Sequence, residues 1–158
     1  MNVVITLRKM RHDDVNDGAR ILAAWNMAPE VASAARPDPE CPRIPIENGF
    51  VALVDGVIVG IASYLDRGAG KGETTCLAVD PAWCDRGIGG LLQTARLAEM
   101  MAKGIRLVRT EADRPEAVQW YVRKFGYRIV GKAPKKHAFS LESVDEWTVL
   151  ELDLAASS

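Results

Sequence analysis

The amino-acid sequence predicts a mixed α/β or α+β domain built around one sheet, and three observations carry that expectation. Two β-rich runs within residues 50–66, FVALVDGVIVGIASYLD, flank Asp55-Gly56, the dipeptide best suited to a tight hairpin. Strand-like TTCLAVD and IRLVRTEA are each followed by apolar residues at helical spacing. No repeat, low-complexity tract or interdomain linker interrupts residues 1–158, so a single domain is expected.

The elements follow in order. VVITLRKM, residues 3–10, is rich in β-branched side chains with partial alternation and opens the chain as a strand. DDVNDGARILAAWNM predicts a helix with Asp13 as N-cap and Val15, Ala19, Leu22 and Ala23 on its apolar face. Residues 28–47 hold five of the eight prolines, which leaves room for a short helix and then a loop. The hairpin comes next, then a polar break, DRGAGKGE, and TTCLAVD as a further strand. Ile88, Leu91, Leu92, Ala95, Ala98 and Met101 form one apolar stripe, on a helix that should stop at Lys103-Gly104. IRLVRTEA is a strand. Asp113 stands at an N-cap position with Glu116 three residues on, and Ala117, Trp120, Tyr121 and Phe125 supply the face of a helix that Gly126 ends. YRIVGK and WTVLELDL are the closing strands.

Composition narrows the function classes. Twenty Lys and Arg against 21 Asp and Glu give a formal charge of −1, with no broad basic footprint for nucleic acid or an anionic membrane. Cys41, Cys76 and Cys84 are odd in number and lack CxxC spacing, which speaks against a disulfide framework or a zinc cage and suits a reducing, cytoplasmic setting. No run approaches the ~20 apolar residues of a membrane span, and the N-terminus lacks the pattern of a secretory signal.

The sharpest local feature is CDRGIGGLL, residues 84–92. A dinucleotide fingerprint would need a third glycine where Leu92 stands, and a P-loop would need Lys-Ser/Thr where Leu91-Leu92 stand. Two readings stay open on the residues alone. Small residues allow a helix start to pack close to a neighbour, and bare backbone N–H groups at a helix N-terminus, with Arg86 beside them, form an anion site.

The string LAVDPAWCDRGIGGLL resembles the acyl-CoA-binding motif of the GNAT superfamily of N-acetyltransferases, in which Arg or Gln, two residues, Gly, one residue and Gly or Ala precede a helix. Gly87 and Gly89 match, and Cys84 occupies the Arg/Gln position. EAVQWYVRKFGY resembles the family's later motif through Ala117, Trp120, Tyr121, Gly126 and Tyr127, with Arg114 where Asn is frequent. The resemblance implies a mixed, mostly antiparallel sheet of about six or seven strands flanked by about four helices. It implies acetyl-CoA as cofactor, bound by Leu77, Ala78, Val79, Cys84, Asp85, Arg86, Gly87, Ile88, Gly89, Gly90, Arg114 and Tyr121.

Acetyl transfer to an amine needs a neutral amine, a polarised carbonyl and a proton for the departing thiolate. The resemblance implies that the backbone at Leu77, Ala78 and Val79, at a bulge, donates to the thioester and pantetheine arm. It places Tyr121 near the thioester sulfur as general acid; periodicity alone favours a core residue on the helix face with Ala117 and Phe125. Glu73 falls six residues before Val79, on one strand face with Thr75 and Leu77, at the spacing of a glutamate base in some members; a solvated strand-edge glutamate is the alternative. His12 and His137 stand among charged residues as surface histidines, and no metal site is expected. Cys84 at a helix start invites comparison with a nucleophile, but no histidine lies near it in sequence.

The resemblance puts the acceptor against residues 26–49 and 132–146. Glu30, Asp38, Glu40 and Glu47 against Arg36 and Arg43 tilt the first of these toward a cationic amine, either a small molecule or a peptide N-terminus. The expected activity is N-acetyl transfer by direct attack in a ternary complex. Protein or peptide acetylation, or a non-catalytic acyl-CoA sensor, are the alternatives, and a homodimer is compatible with either.

Overall fold

The computed structural model describes residues 3–27, 45–135 and 140–155. Among the described residues, seven strands form one sheet in the order β1-β2-β3-β4-β5-β7-β6. They are β1 (Thr6–Lys9), β2 (Gly49–Val54), β3 (Val57–Gly68), β4 (Lys71–Val79), β5 (Leu107–Ala112), β6 (Arg128–Pro134) and β7 (Glu146–Asp153). Three α-helices occur among the described residues, α1 (Val15–Ala23), α2 (Ile88–Ala102) and α3 (Pro115–Phe125). The short helix and loop expected over 28–47 fall largely outside the described residues, as do Glu30, Arg36, Asp38, Glu40, Cys41, Arg43 and His137.

The chain divides into two compact units, one comprising Met1–Leu65 with Thr75–Glu99, the other Asp66–Thr74 with Met100–Ser158. In the first unit β1 and β2 pair antiparallel, as do β2 and β3. The hairpin turn takes the form the dipeptide predicts. Asp55 and Gly56 both have positive φ, 51° and 78°, the requirement of a two-residue turn whose twist matches its strands. Met10, Ile21, Leu22, Val51, Ile58, Ile61, Cys76 and Ala78 make the core of this unit. Full burial of one such aliphatic side chain is worth about 1.5–3 kcal/mol. Helix α2 comes close to β3 at Gly60, where an added Cβ would lie 2.9 Å from Leu92 Cδ1 and 3.2 Å from Ile88 Cγ2.

In the second unit β5 pairs antiparallel with β7, and β6 pairs antiparallel with β7 with a register shift between Ile129 and Gly131. A parallel ladder joins Lys71 to Leu107, Gly72 to Val108 and Glu73 to Arg109. Val108, Tyr127, Leu150 and Leu152 are buried there. Gly126 ends α3 in the left-handed conformation, as its position predicts.

Three helical expectations need correction. On α1 the buried residues are Gly18, Ile21 and Leu22, while Ala23 is exposed. Asp14 rather than Asp13 occupies the cap position, and its carboxylate is taken by Arg8 and by the Arg11 N–H. On α2 Leu91 and Met101 are exposed, and the buried line is Ile88, Leu92, Arg96 and Met100 with Gln93 beside it. At α3 the cap residue is Arg114 with Pro115 behind it, because the Asp113 carboxylate is engaged elsewhere.

Candidate functional site

The first unit holds the glycine cluster and the strand before it. Along β4, Cys76 and Ala78 are buried while Leu77 and Val79 are half-buried, the period-two alternation of a strand. Val79 closes the strand with its carbonyl accepting the Trp25 indole N–H at 2.8 Å. Asp80 follows, its backbone N–H donating to Val59 O at 2.8 Å and its carboxylate accepting the Ala82 N–H at 3.0 Å. That cap sets a single 3₁₀ turn over Pro81–Trp83.

Cys84, Asp85, Arg86 and Gly87 then lead into α2. Asp85 and Gly87 adopt positive φ, 63° and 79°. Gly87 is exposed, has nothing within 4 Å of where a Cβ would stand, and accepts the Leu91 N–H at 3.1 Å. The N–H groups of Ile88, Gly89 and Gly90 therefore open a 15-residue helix at the positions where a helix leaves its first donors without intrahelical acceptors. The helix dipole adds partial positive charge there, and the exposed Arg86 guanidinium carbon lies 4.8 Å from the centre of the Trp83 ring. Bare donors, an open backbone and a local cation suit a pyrophosphate.

Cys84 is half-buried, with its Sγ 3.8 Å from the Asp80 carbonyl oxygen. Burial, and then the carboxylates of Asp85 and Asp80, push its thiol above the ordinary value. A thiol shifted in this direction gains no thiolate character from the helix start.

The second unit holds Tyr121, Glu73 and Arg114. Tyr121 lies on α3, 7% exposed, with its ring edge-on to Trp120 at 5.0 Å and to Tyr127 at 5.1 Å. Tyr127 OH is 3.4 Å from Thr110 Oγ1, which is 2.7 Å from Thr74 Oγ1. Glu73 Oε2 accepts from Arg67 Nε at 2.9 Å and Nη2 at 2.7 Å, so its carboxylate is committed to an ion pair. Arg114 caps α3 through its carbonyl, which accepts the Val118 N–H at 3.0 Å, while its Nε donates to Ser140 Oγ at 3.2 Å.

Two polar clusters escape a reading based on apolar periodicity. Arg96, fully buried, donates from Nη1 to Ser63 O at 3.0 Å and Cys76 O at 2.6 Å, and from Nε and Nη2 to Gln93 Oε1. Its place four residues after Leu92 and four before Met100 is the signal that could have found it. In the second unit Lys135 Nζ donates to Asp113 Oδ2 at 2.7 Å, and the side chains are 4% and 3% exposed. Ser140 Oγ and the Leu141 N–H complete the Asp113 carboxylate, each at 2.8 Å, while Lys135 Nζ also reaches Leu141 O. Burial acts most strongly on Asp113 and would raise its pKa. The hydrogen bonds from Lys135, Leu141 and Ser140, with the charge of Lys135, outweigh it and hold the carboxyl below the ordinary range.

No cluster of His, Cys, Asp and Glu among the described residues could hold a metal, and no helix among them is long and apolar enough to cross a membrane. His12 is exposed.

Residues 45–129 match the family model described as an acetyltransferase (GNAT) domain. Comparison with curated proteins yields no match. Among solved structures, the chain is similar to Ard1 from Thermoplasma volcanium, with TM-score 0.75, 23% identity and coverage of 95% of this chain and 97% of that one. It is similar to the PaiA N-acetyltransferase from Thermoplasma acidophilum in complex with coenzyme A, with TM-score 0.65, 17% identity and coverage of 95% and 99%. It also resembles N-acetylglutamate synthase from Neisseria gonorrhoeae complexed with coenzyme A and N-acetyl-glutamate, with TM-score 0.71, 17% identity and coverage of 98% of this chain and 36% of that one.

Proposed function

The chain belongs to the GNAT acetyltransferase family, whose cofactor is acetyl-CoA, and on that premise we propose that residues 1–158 form one N-acetyltransferase domain acting on a primary amine by direct attack in a ternary complex. The observation that carries this reading is the entry to α2. There Gly87 takes φ 79° with open space about it, ahead of the N–H groups of Ile88, Gly89 and Gly90. Those donors, with Arg86, would hold the cofactor's pyrophosphate; Cys84 and Asp85 shape the turn, and Arg86 supplies a charge that Cys84 does not.

Acetyl-CoA, when bound, supplies an acetyl group activated as a thioester. The chain's part is to hold and to move protons. The backbone of Leu77, Ala78 and Val79 binds the thioester carbonyl and the amide-bearing arm. For that chemistry the amine's proton would pass to a base, and Tyr121 Oη would give its proton to the departing sulfur as the C–N bond replaced the C–S bond. The hydroxyl would then recover a proton from solvent. Glu73 can serve as base only by sharing its carboxylate with Arg67, directly or through a water it orients. Arg114, whose Nε donates to Ser140 Oγ at the start of α3, is assigned to cofactor binding by the family resemblance alone.

The acceptor is a small-molecule or peptide amine. Similar structures include N-acetylglutamate synthase and the ribosomal-protein-S18-alanine N-acetyltransferase from Escherichia coli, so both amino acids and protein N-termini belong in a test panel. Incubation with acetyl-CoA and such a panel should release free thiol above the spontaneous rate with at least one amine. Tight acetyl-CoA binding with no thiol release from any amine or peptide would favour a non-catalytic acyl-CoA sensor, the reading that Cys84 at the Arg/Gln position supports.

A further inference from the structure

Arg96 has no role in the function argued above, and its burial needs a reason. The residue has zero exposure, and no carboxylate among the described residues pairs with it. Its guanidinium meets only neutral acceptors, the carbonyls of Ser63 on β3 and Cys76 on β4 and the side-chain amide oxygen of Gln93 one turn back on α2. Taking a charge out of water without a counter-ion costs several kcal/mol even after hydrogen bonding. Methionine would fill the same space without burying a charge, leaving only the Ser63 and Cys76 carbonyls without this donor, so packing alone is a poor explanation.

The contact to Cys76 points to one. Its carbonyl and the Leu77 N–H belong to the same peptide unit, which is planar and trans, so the two groups point in opposite directions. At 2.6 Å the guanidinium makes a short, charge-assisted bond to the carbonyl end. Such a bond draws electron density toward the oxygen and leaves the N–H end of the same peptide a stronger donor. The Leu77 N–H therefore faces away from Arg96, on the backbone stretch assigned above to the thioester.

We infer that Arg96 is a positioning and polarising residue, which fixes the Cys76–Leu77 peptide and strengthens the Leu77 N–H as donor to a carbonyl oxygen bound against β4. The inference rests on the acetyl-CoA reading of that strand. Gln93 is part of the device because it satisfies two guanidinium donors without neutralising them. A glutamate there would keep the acceptor and cancel the charge.

Gln93→Glu is accordingly the decisive variant, with Arg96→Met and Arg96→Lys beside it. Acetyl-CoA labelled with ¹³C at the thioester carbonyl is bound to each protein, and the carbonyl stretch is read by difference infrared spectroscopy. Affinity, kcat and the thermal midpoint are measured in parallel. In the wild type the stretch should fall below that of free acetyl-CoA. In Gln93→Glu and Arg96→Met it should return toward the free value, with acetyl-CoA affinity within about threefold and kcat about tenfold lower, a fraction of the ~10²–10³ lost when an oxyanion donor is removed outright. Arg96→Lys, which keeps the charge, should recover part of the shift. A purely structural role predicts a changed thermal midpoint with stretch and kcat at wild-type values in Gln93→Glu, and that result overturns the inference. Should Arg96→Met fail to fold, the near-isosteric Gln93→Glu still decides. A wild type that binds acetyl-CoA with no shift of the stretch removes the polarised donor, whereas a wild type that binds no acetyl-CoA removes the functional reading, and this role with it.

Discussion

Arg96 in the first unit and Lys135 in the second are both buried cations, and their surroundings differ in kind. Lys135 meets the Asp113 carboxylate at 2.7 Å, alongside Ser140, the Leu141 backbone and the Trp147 ring, 4.5 Å from the ammonium. Arg96 meets two strand carbonyls and an amide. The first arrangement cancels charge and ties the connection after β6 to the residue before α3. The second keeps its charge and directs it into the backbone of β4. The same division holds for the candidate chemistry: the first unit offers N–H groups and bare glycines, the second a phenol and a carboxylate.

Breaking each cation's partner should separate the two arrangements most widely. Asp113→Leu strands a buried ammonium and should cost about 3–5 kcal/mol in urea unfolding, whereas Arg96→Met strands neutral carbonyls and should cost about 1–3 kcal/mol. Asp113→Leu combined with Lys135→Met should regain much of the single-variant loss; equal losses in single and double variants would mean that the ion pair is not what matters. The Asp113 contribution also has a direction in pH. Its folded carboxyl binds a proton less tightly than the unfolded chain does, so its stabilisation is present above the ordinary carboxylate pKa of about 4 and disappears as pH falls through the lower folded value. The stability gap between wild type and Asp113→Asn should therefore close in acid.

Tyr121→Phe tests the side-chain chemistry of the second unit. The loss of a general acid should lower kcat by about 10²-fold, the low end for such catalysis because a thiolate leaves readily, with acetyl-CoA affinity nearly intact. A variant with wild-type kcat, measured where chemistry limits turnover, leaves Tyr121 as a ring packed on Trp120 and Tyr127. Gly89→Asp tests the backbone chemistry of the first unit. A carboxylate in the first turn of α2 would repel the pyrophosphate while favouring the helix itself, so acetyl-CoA Kd should rise about tenfold or more with little change in unfolding midpoint. An unchanged Kd would return residues 84–92 to close packing as their only purpose.

Most strands and turns were legible because their signals are local, whereas the polar run 66–73, expected as a break, is strand up to Gly68 and again from Lys71. Asp55-Gly56 dictates its own turn, and Gly126 terminates α3 where the periodicity ends. The helix start after the glycine cluster was legible for the same reason: Gly87 takes φ 79° immediately before α2 begins at Ile88. Helix faces were not. Counting apolar residues put Leu91 and Met101 inside α2 and left out Arg96 and Gln93, because a polar side chain with enough hydrogen-bond partners is buried as readily as a leucine. Asp113 shows the same effect. Its position before α3 suits a cap, but a lysine 22 residues further on, invisible to any local pattern, takes the carboxylate first. Glu73 could be placed on its strand face from spacing, whereas its engagement with Arg67 required the fold of the turn between β3 and β4.

That no described carboxylate pairs with Arg96 also bears on how the chain responds to heat. Hydration of a charged group is strongly ordering for water, so its free energy becomes less favourable as temperature rises, and the penalty for having left water shrinks with it. Hydrogen bonds to fixed strand carbonyls carry no such loss of solvent order. The guanidinium between β3, β4 and α2 is therefore a cost that heating reduces, set against an apolar core whose own contribution levels off over the same range.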